Sequence, residues 1–244
     1  MNDSDLAWLA WQAYDEDGLF DYRCARRGWQ VLERIEHRGS EAALVWRHPA
    51  DVTRERPSGA LVFRGTEASR LKLRDLWSNL AWPWPTAWQG PGRVHSGYRR
   101  HLNMIPSALP LAAGIASDVP LYVTGHSLGG ALATLFTSWY FWEAKFKRPP
   151  WKLAGLVTFG SPRALDREAA AWLRCPVRRY VVKGDLAPYW PPVPGLVQPG
   201  TAIALPAAGP AYALRRNHAA DHYAAAIESS SEILQSGRGR TANP

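Results

Sequence analysis

The amino-acid sequence predicts an α/β fold, with a mostly parallel central sheet flanked by helices. Two observations carry this prediction, the alternation of strand-like and helix-like stretches and the length of the chain. Short runs typical of strands alternate along the chain with longer stretches at helical spacing, and alternation of this kind favours a parallel sheet with helices on its faces. The length of 244 residues also lies within the range of one domain. We therefore expect a single α/β domain over residues 1–235.

Five short apolar runs are the predicted strands. Each is rich in β-branched or aromatic residues and is bounded by glycine, proline or charged residues, as strands usually are. The runs are AALVW (42–46), GALVFRG (59–65), PLYVTG (120–125), LAGLVTFG (153–160) and VRRYVVKGD (177–185). No internal repeat or interdomain linker separates them, which favours a single sheet.

One long helix is predicted after the third run. The segment GALATLFTSWYFWEAKF (130–146) places its apolar side chains on one side at helical spacing, namely Leu132, Leu135, Phe136, Trp139 and Tyr140. Two proline-rich segments, 81–92 and 188–200, are predicted to be long surface loops. The C-terminal segment 236–244 is predicted to be a disordered tail.

The composition argues against a transmembrane protein. Hydrophobic residues make up 46% of the chain and charged residues 20%, and no apolar run approaches the ~20 residues that a membrane-spanning helix needs. The first 22 residues carry six acids and no base, unlike a secretory signal, which begins with a basic region followed by an apolar core. We therefore expect a protein that is either cytoplasmic or exported without a cleavable signal peptide.

The charge and the cysteines predict neither a nucleic-acid site nor a metal site. The net charge is +8, but the bases are scattered in pairs such as Arg99–Arg100 and Arg215–Arg216 and form no continuous run, which favours a solvated surface over an anionic lipid or nucleic-acid face. Cys24 and Cys175 could form at most one bridge, and the favoured interpretation is two reduced, partly buried thiols.

The pentapeptide Gly125-His126-Ser127-Leu128-Gly129 is the motif that carries chemistry. It matches a nucleophile elbow, in which a serine lies on a sharp turn between a strand and a helix, and the turn is too crowded for side chains at the flanking positions. A predicted strand precedes it and a predicted helix follows it. Backbone N–H groups at the start of that helix would stabilise an oxyanion formed during acyl transfer. We therefore predict that the hydroxyl of Ser127 is a nucleophile.

A serine nucleophile needs a histidine that takes its proton and a carboxylate that orients the histidine. Around such an elbow the chain order is serine, acid, histidine, so both partners are sought downstream. Asp185 ends a predicted strand and is the favoured acid. The competing acids are Asp166 and Glu168, which fit the first turn of a helix, Asp221, and Glu228 and Glu232, which fit exposed helix faces.

Two histidines follow the favoured acid, His218 and His222 in RRNHAADHYAAAI. Their spacing of four residues could place both on one helical face, as in a metal pair. The metal interpretation is disfavoured because the intervening glutamate of the metalloprotease motif and a third ligand are missing. One histidine is therefore expected to be the general base, and both remain candidates.

Several blocks of the sequence, in the right order over residues 60–192, resemble the class 3 lipases, which comprise the fungal-type triacylglycerol lipases and their bacterial relatives. The blocks are FRGTEASRLKLRDLWSNL (63–80), VHSGYRRHL (94–102), VTGHSLGGALATL (123–135), LVTFGSPR (156–163) and VVKGDLAPYWPP (181–192). Two positions depart from the pattern of the family, because Tyr98 stands where it has phenylalanine and Ala187 where it has valine. The first 58 residues and the C-terminal region carry no diagnostic motif.

The resemblance implies an α/β-hydrolase fold in which Ser127 is the nucleophile and Asp185 the acid, with no metal or organic cofactor. It also implies an oxyanion hole formed by Thr66 and by the N–H of Leu128. Members of the family often have a tyrosine five residues after the catalytic histidine, which favours His218 because of Tyr223. Many relatives instead show an Asp-His dipeptide, which favours His222 as the alternative base.

In the family, the segment between the oxyanion block and the Val-His block forms a lid over the acyl pocket. Here this segment contains Trp82, Trp84 and Trp88. Indole rings suit an apolar cleft or a transient contact with a lipid–water interface. The alternative, left open by the sequence, is a proline-stiffened loop that packs its tryptophans into the core.

The predicted activity is that of a serine carboxylic-ester hydrolase, a lipase or esterase, which cleaves acylglycerols or related lipid esters through an acyl-enzyme. A phospholipase A or a thioesterase is the alternative within the same class, and an antibacterial lipase effector is a possible setting. An inactive hydrolase-fold binding protein would lack one of the expected site residues, but all of these positions are filled. The sequence leaves acyl chain length, headgroup and oligomeric state open.

Overall fold

The computed structural model describes residues 1–15, 17–37, 40–47, 57–65, 84–102, 119–147, 151–210 and 213–238. Its helices are α1 (Asp3–Gln12), α2 (Phe20–Arg26), α3 (Ser96–Leu102), α4 (Leu128–Glu143), α5 (Arg167–Ala170), α6 (Leu214–Asn217) and α7 (Ala220–Arg238). Its strands are β1 (Trp29–His37), β2 (Ser40–Arg47), β3 (Ser58–Phe63), β4 (Pro85–Ala87), β5 (Arg93–His95), β6 (Pro120–His126), β7 (Lys152–Phe159), β8 (Leu165–Asp166), β9 (Val177–Val182), β10 (Leu196–Val197) and β11 (Thr201–Leu205).

The large sheet has seven strands in the order β1-β2-β3-β6-β7-β9-β11. The five strands from β3 to β11 pair in parallel, and β1 and β2 add an antiparallel edge. A smaller antiparallel sheet has the order β10-β8-β5-β4. The prediction of a mostly parallel sheet flanked by helices is confirmed. Because parallel strands end at the same edge, the residues that directly follow β3, β6, β7 and β9 lie there.

Both faces of the large sheet are buried, and strand β3 shows why. Its residues alternate between two hydrophobic clusters, with Leu61 and Phe63 in one and Ala60 and Val62 in the other. Side chains on a strand point alternately to opposite faces, so each cluster fills one side of the sheet. Helices α3 and α4 cover the first side, and α1 and α7 cover the second. A strand buried on both faces reads as a continuous apolar run, as this one does.

Helix α4 begins at Leu128, two residues before the predicted start, and ends at Glu143, three residues before the predicted end. The predicted start was wrong because Leu128 and Gly129 already belong to the first turn of the helix that leaves the elbow. The predicted end was wrong because Ala144, Lys145 and Phe146 form turns after the helix. Twelve of the residues of α4 are buried, so the helix is enclosed on more than the one side that its apolar spacing predicted.

The two predicted surface loops contain regular structure where the structure describes them. Residues Pro85–Ala87 form β4 and pair antiparallel with β5, and Leu196–Val197 form β10, which pairs with β8. Proline is tolerated in such short edge segments because it needs no ladder donor there. Helix α7 continues to Arg238. The prediction that the tail begins at residue 236 was therefore wrong, because the hydrogen-bonded helical backbone extends through residues 236–238. Residues 239–244 lie outside the described residues.

Within the described part of the chain, no helix combines the length and the apolar composition needed to cross a bilayer. Cys24 and Cys175 are free thiols, the first buried and the second half-buried, as predicted. Some of the positive charge has structural partners. Arg178 forms two hydrogen bonds of 2.8 and 2.6 Å with the carboxylate of Asp3, which ties α1 to β9.

His95 ends β5 and caps helix α3. Its Nδ1 accepts a hydrogen bond of 3.1 Å from the N–H of Gly97, and its ring stacks on Tyr98 with the centroids 4.1 Å apart. Nδ1 can accept only while it carries no proton. Burial lowers the pKa of His95 to about 4, which keeps the ring neutral and the cap in place.

The buried His95 makes stability fall in acid. Above the ordinary pKa of about 6.5 neither the folded nor the unfolded state protonates this ring, whereas between pH 6.5 and about 4 only the unfolded state binds a proton. The contribution is therefore complete above pH 6.5 and is lost as pH falls towards 4. We expect the wild type to lose about 2 kcal/mol more unfolding free energy between pH 7 and pH 5 than His95→Asn, which cannot titrate. Urea denaturation of both proteins at the two pH values measures this, and equal losses would contradict it.

Candidate active site

Ser127 lies at a sharp turn between β6, which ends at His126, and α4, which begins at Leu128. Its backbone has φ 55° and ψ −125°, a conformation that side-chain-bearing residues rarely adopt. The N–H of Ser127 donates a 2.9 Å hydrogen bond to the carbonyl of Phe159 at the end of β7. This bond fixes the turn at the carboxyl edge of the sheet.

The glycines on both sides of Ser127 are required by close backbone contacts. A Cβ on Gly125 would lie 2.5 Å from the carbonyl oxygen of Gly129 and 2.8 Å from that of Phe63, and a Cβ on Gly129 would lie 2.9 Å from the carbonyl carbon of Arg64. These neighbours are backbone atoms that cannot rotate away. The crowding that the elbow motif predicted is present in this turn.

The side chains of Ser127, His218 and Asp185 form one hydrogen-bonded chain. The Oγ of Ser127 lies 2.7 Å from Nε2 of His218, and Nδ1 of His218 lies 2.8 Å from Oδ2 of Asp185. Ser127 is 5% exposed, Asp185 1% and His218 9%, so water is largely excluded. Three groups from separate segments are thus positioned for proton transfer from a hydroxyl to a histidine that a carboxylate orients.

The carboxylate of Asp185 is held by further donors. Its Oδ1 accepts a 2.8 Å bond from the N–H of Ala187, and its Oδ2 accepts a 2.6 Å bond from the hydroxyl of Tyr223. Burial and then the charge of Asp185 raise the pKa of Tyr223 well above its ordinary value, so this hydroxyl remains a donor. Tyr223, five residues after His218, therefore holds the carboxylate of Asp185 in place.

Gly160, which follows β7, lies against this hydrogen-bonded chain. It has a positive φ of 58°, and a Cβ there would lie 2.8 Å from Oδ2 of Asp185, 3.1 Å from the hydroxyl of Tyr223 and 3.2 Å from Cε1 of His218. Only glycine combines this backbone conformation with the space that the three side chains need. The sequence signal for this position was the block LVTFGSPR, whose glycine had no assigned role.

A second pair of side chains, Tyr14 and His126, lies next to the hydrogen-bonded side chains of Ser127, His218 and Asp185. The sequence analysis did not predict this pair. The hydroxyl of Tyr14 lies 2.6 Å from Nδ1 of His126, and the ring of His126 lies 4.7 Å from that of His218. Burial raises the pKa of Tyr14, whereas burial and then the nearby His218 lower the pKa of His126 well below its ordinary value. His126 is therefore neutral, and it adds no positive charge beside His218.

Of the two residues predicted to form the oxyanion hole, the structure describes only Leu128. Leu128 is the first residue of α4, and the first four N–H groups of a helix have no acceptor within the helix, so its N–H is available next to Ser127. Thr66 lies outside the described residues. The preceding Gly65 adjoins the elbow, because a Cβ there would lie 2.7 Å from the carbonyl oxygen of His126.

The structure separates the other candidates from this arrangement. His222 is half-buried and its Nε2 lies 3.2 Å from the carbonyl oxygen of Pro206, so His218 and not His222 contacts Ser127. Asp166 caps helix α5 through a 2.8 Å bond from the N–H of Ala169, as its predicted place in a first turn implies. Among the described residues, no group of three histidine, cysteine or acidic side chains could hold a metal ion.

The tryptophans of the predicted lid fall in three different situations. Trp82 lies outside the described residues. Trp84 is 66% exposed. Trp88 is half-buried, packs against a hydrophobic cluster and donates a 2.7 Å bond from Nε1 to the carbonyl oxygen of Pro91. The core-packing interpretation thus describes Trp88, whereas Trp84 presents its indole ring to solvent.

The parallel sheet and the serine turn at its carboxyl edge define an α/β-hydrolase fold. Solved lipase structures support this assignment. A propeptide complex of Rhizomucor miehei lipase matches with a TM-score of 0.64 and 21% identity over 84% of this chain and 66% of that chain. A lipase from Rhizopus microsporus var. chinensis matches with a TM-score of 0.64 and 21% identity over 83% of this chain and 73% of that one.

More narrowly, this chain belongs to the lipase (class 3) family, whose family model matches residues 60–194. A lipase of Rhizopus niveus is 30% identical over 148 residues, which are 57% of this chain and 36% of that protein. A Caenorhabditis elegans lipase is 34% identical over 139 residues, which are 54% of this chain and 37% of that protein. The matches therefore span little more than a third of these relatives.

Proposed function

We propose that this protein is a serine carboxylic-ester hydrolase that acts on lipid esters through an acyl-enzyme intermediate. The observation that carries the proposal is the hydrogen-bonded chain from Ser127 Oγ through His218 to Asp185, with distances of 2.7 and 2.8 Å. Membership of the lipase (class 3) family supports an ester substrate. In this proposal Ser127 is the nucleophile, His218 the general base and Asp185 the residue that orients the base.

In the acylation step, Nε2 of His218 takes the proton of the Ser127 hydroxyl while Oγ attacks the ester carbonyl carbon. The carbonyl π electrons move to the oxygen and form a tetrahedral oxyanion. Asp185 stabilises the positive charge that develops on His218. When the oxyanion collapses, the bond to the leaving alcohol breaks, and His218 gives that alcohol the proton.

Deacylation repeats the same steps with water. His218 takes a proton from a water molecule, which attacks the acyl carbon, and the collapse of the second oxyanion returns the proton to Oγ of Ser127. The released products are the carboxylic acid and free enzyme. Every proton moves between Ser127, His218, water and the substrate, so the cycle balances with these groups.

The oxyanion needs donors that are already in place. The N–H of Leu128 lies at the N-terminus of α4, where backbone donors and the helix dipole favour negative charge. We propose Thr66 as the second donor, because it follows Gly65, whose backbone adjoins the elbow. The loss of one such donor typically lowers kcat by about 10²- to 10³-fold.

The proposed substrate is an ester with an apolar acyl chain. The exposed Trp84 supports a transient contact with a lipid–water interface, because indole rings are favoured there. Acyl chain length and headgroup are the two variables of the experiment.

The test is hydrolysis of p-nitrophenyl esters with acyl chains from about two to sixteen carbons, in parallel with phospholipid and thioester substrates. We expect ester hydrolysis, and kcat/KM that rises with chain length until the acyl pocket is filled, since each buried methylene contributes about 0.8 kcal/mol. A preference for phospholipid or thioester would place the protein in that subclass of hydrolase. No hydrolysis of any of these substrates would contradict the proposal and favour an inactive binding protein.

A further inference from the structure

Three aromatic rings cluster where helix α4 ends. Trp142 contacts Phe146 with the ring centroids 5.3 Å apart and contacts Trp172 at 4.8 Å, both edge to face. Phe146 is 62% exposed, and the two tryptophans are half-buried. Trp142 lies in the last turn of α4, Phe146 in the turns that follow the helix, and Trp172 between α5 and β9. The cluster thus joins two segments at one surface, which we call the aromatic patch.

The aromatic patch lies outside the two hydrophobic clusters of the described residues. Neither hydrophobic cluster of the described residues includes Trp142, Phe146 or Trp172, although Trp139 and Phe141 of the same helix pack against one of them. Rings that are needed for folding would contact a core cluster. Large apolar rings that are left at a surface together mark an interaction site more often than rings that are scattered singly.

Cationic side chains cover the aromatic patch. The ammonium of Lys145 lies 5.7 Å from the ring centroids of Trp142 and Phe146 and 5.8 Å from that of Trp172. The guanidinium of Arg174 lies 4.6 Å from the ring of Trp172. Both side chains are exposed. The patch therefore combines half-exposed indoles, an exposed phenyl ring and positive charge.

We propose that the aromatic patch binds an anionic lipid surface. Indole rings are favoured at the level of the headgroups, and lysine and arginine side chains near an anionic leaflet are attracted to it. The charge complements such a surface: beside Lys145 and Arg174, Lys147 is 80% exposed, and the acid of the same segment, Glu143, is paired with it at 3.4 Å. A quaternary ammonium ligand suits aromatic rings as well, but the positive charge around these rings disfavours it.

The aromatic patch is remote from Ser127. Trp142 follows Ser127 by fifteen residues along α4, which corresponds to about 22 Å at 1.5 Å per residue. The patch and the serine therefore lie at opposite ends of the helix. Binding through the patch and cleavage of a soluble ester are consequently independent, and each can be lost without the other.

The test is co-sedimentation with vesicles of diether phosphatidylcholine alone and of the same lipid with about 30% diether phosphatidylglycerol, an anionic fraction that attracts basic segments. Ether-linked lipids cannot be cleaved by an ester hydrolase. We expect the wild type to bind the anionic vesicles at least tenfold more tightly than the neutral ones, with binding that weakens as salt is added. Equal binding to both kinds of vesicle, or no binding to either, would overturn the proposal.

Two variants locate the binding surface. Phe146→Ser and Lys145→Glu are each expected to weaken binding to anionic vesicles about tenfold, because they remove an exposed ring or reverse one charge at the surface. Tyr22→Ser removes a ring of similar exposure, 61%, from helix α2, whose buried residues belong to the hydrophobic cluster on the other side of the sheet from α4, and should bind like the wild type. Unchanged binding by both patch variants would overturn the proposal. Thermal melting verifies that each variant is folded, so the result stands whether or not the protein hydrolyses esters.

Discussion

Ser127→Ala is expected to lower kcat for ester hydrolysis by about 10⁴-fold or more, with little change in KM. The substitution removes the only atom of this side chain that can attack a carbonyl, and loss of one member of a serine triad has effects of this size. Alanine has a Cβ like serine, so it meets the same backbone strain at φ 55°. The fold should therefore be retained. Steady-state kinetics on a p-nitrophenyl ester measures the effect.

A matched control is available on the same helix. Ser138 is fully buried, and its hydroxyl donates a 2.7 Å bond to the carbonyl oxygen of Ala169. Ser138→Ala should lower stability by about 1 kcal/mol and leave kcat within about twofold, because the side chain does not reach Ser127. If both alanine variants retained activity, Ser127 would not be the nucleophile.

The second large effect distinguishes the two histidines. His218→Ala is expected to lower kcat about 10⁴-fold, because Ser127 loses the group that accepts its proton. His222→Ala should leave kcat within about twofold, since the ring of His222 contacts only the carbonyl of Pro206 among the hydrogen bonds described for it. The double variant Ser127→Ala, His218→Ala should be no slower than either single variant, because the two residues act as one unit.

The opposite pattern would assign the general base to His222. In that case the 2.7 Å contact between Ser127 and His218 would not describe the working arrangement. If both histidine variants were inactive, thermal melting would show whether His222→Ala acts through loss of the fold. A folded but inactive His222→Ala would contradict the assignment of His218.

Sequence analysis predicted the five central strands of the large sheet, because their residues favour strands strongly. Strand β3, SGALVF, is buried at every position, so its apolar run is easily recognised. The two edge strands, β1 and β11, were not predicted. β1 reads WQVLERIEH and carries charged side chains, as edge strands often do to avoid pairing with other chains. β11 is TAIAL, and its alanines have a low strand preference.

Some residues of the candidate site were likewise predicted from the sequence, and others were not. Ser127 was predicted from local crowding by glycines, and Asp185 and His218 from chain order and family blocks. Tyr14 carried no signal, because its partner His126 lies 112 residues further along the chain and only the fold brings them together. Tyr223 was noticed for its interval from His218, but its bond to Asp185 depends on how α7 packs beside β9. Contacts of this kind follow from tertiary packing and not from sequence pattern.

In the proposed function Ser127 acts as a nucleophile that His218 activates, and one measurement tests this directly. A p-nitrophenyl alkylphosphonate reacts with an activated serine and releases p-nitrophenol as a stable phosphonyl-enzyme forms. We predict release of one equivalent of p-nitrophenol per chain, with the added mass on the peptide that contains Ser127, and no rapid labelling of His218→Ala. Labelling at another residue, or the same rapid labelling in His218→Ala, would contradict the account.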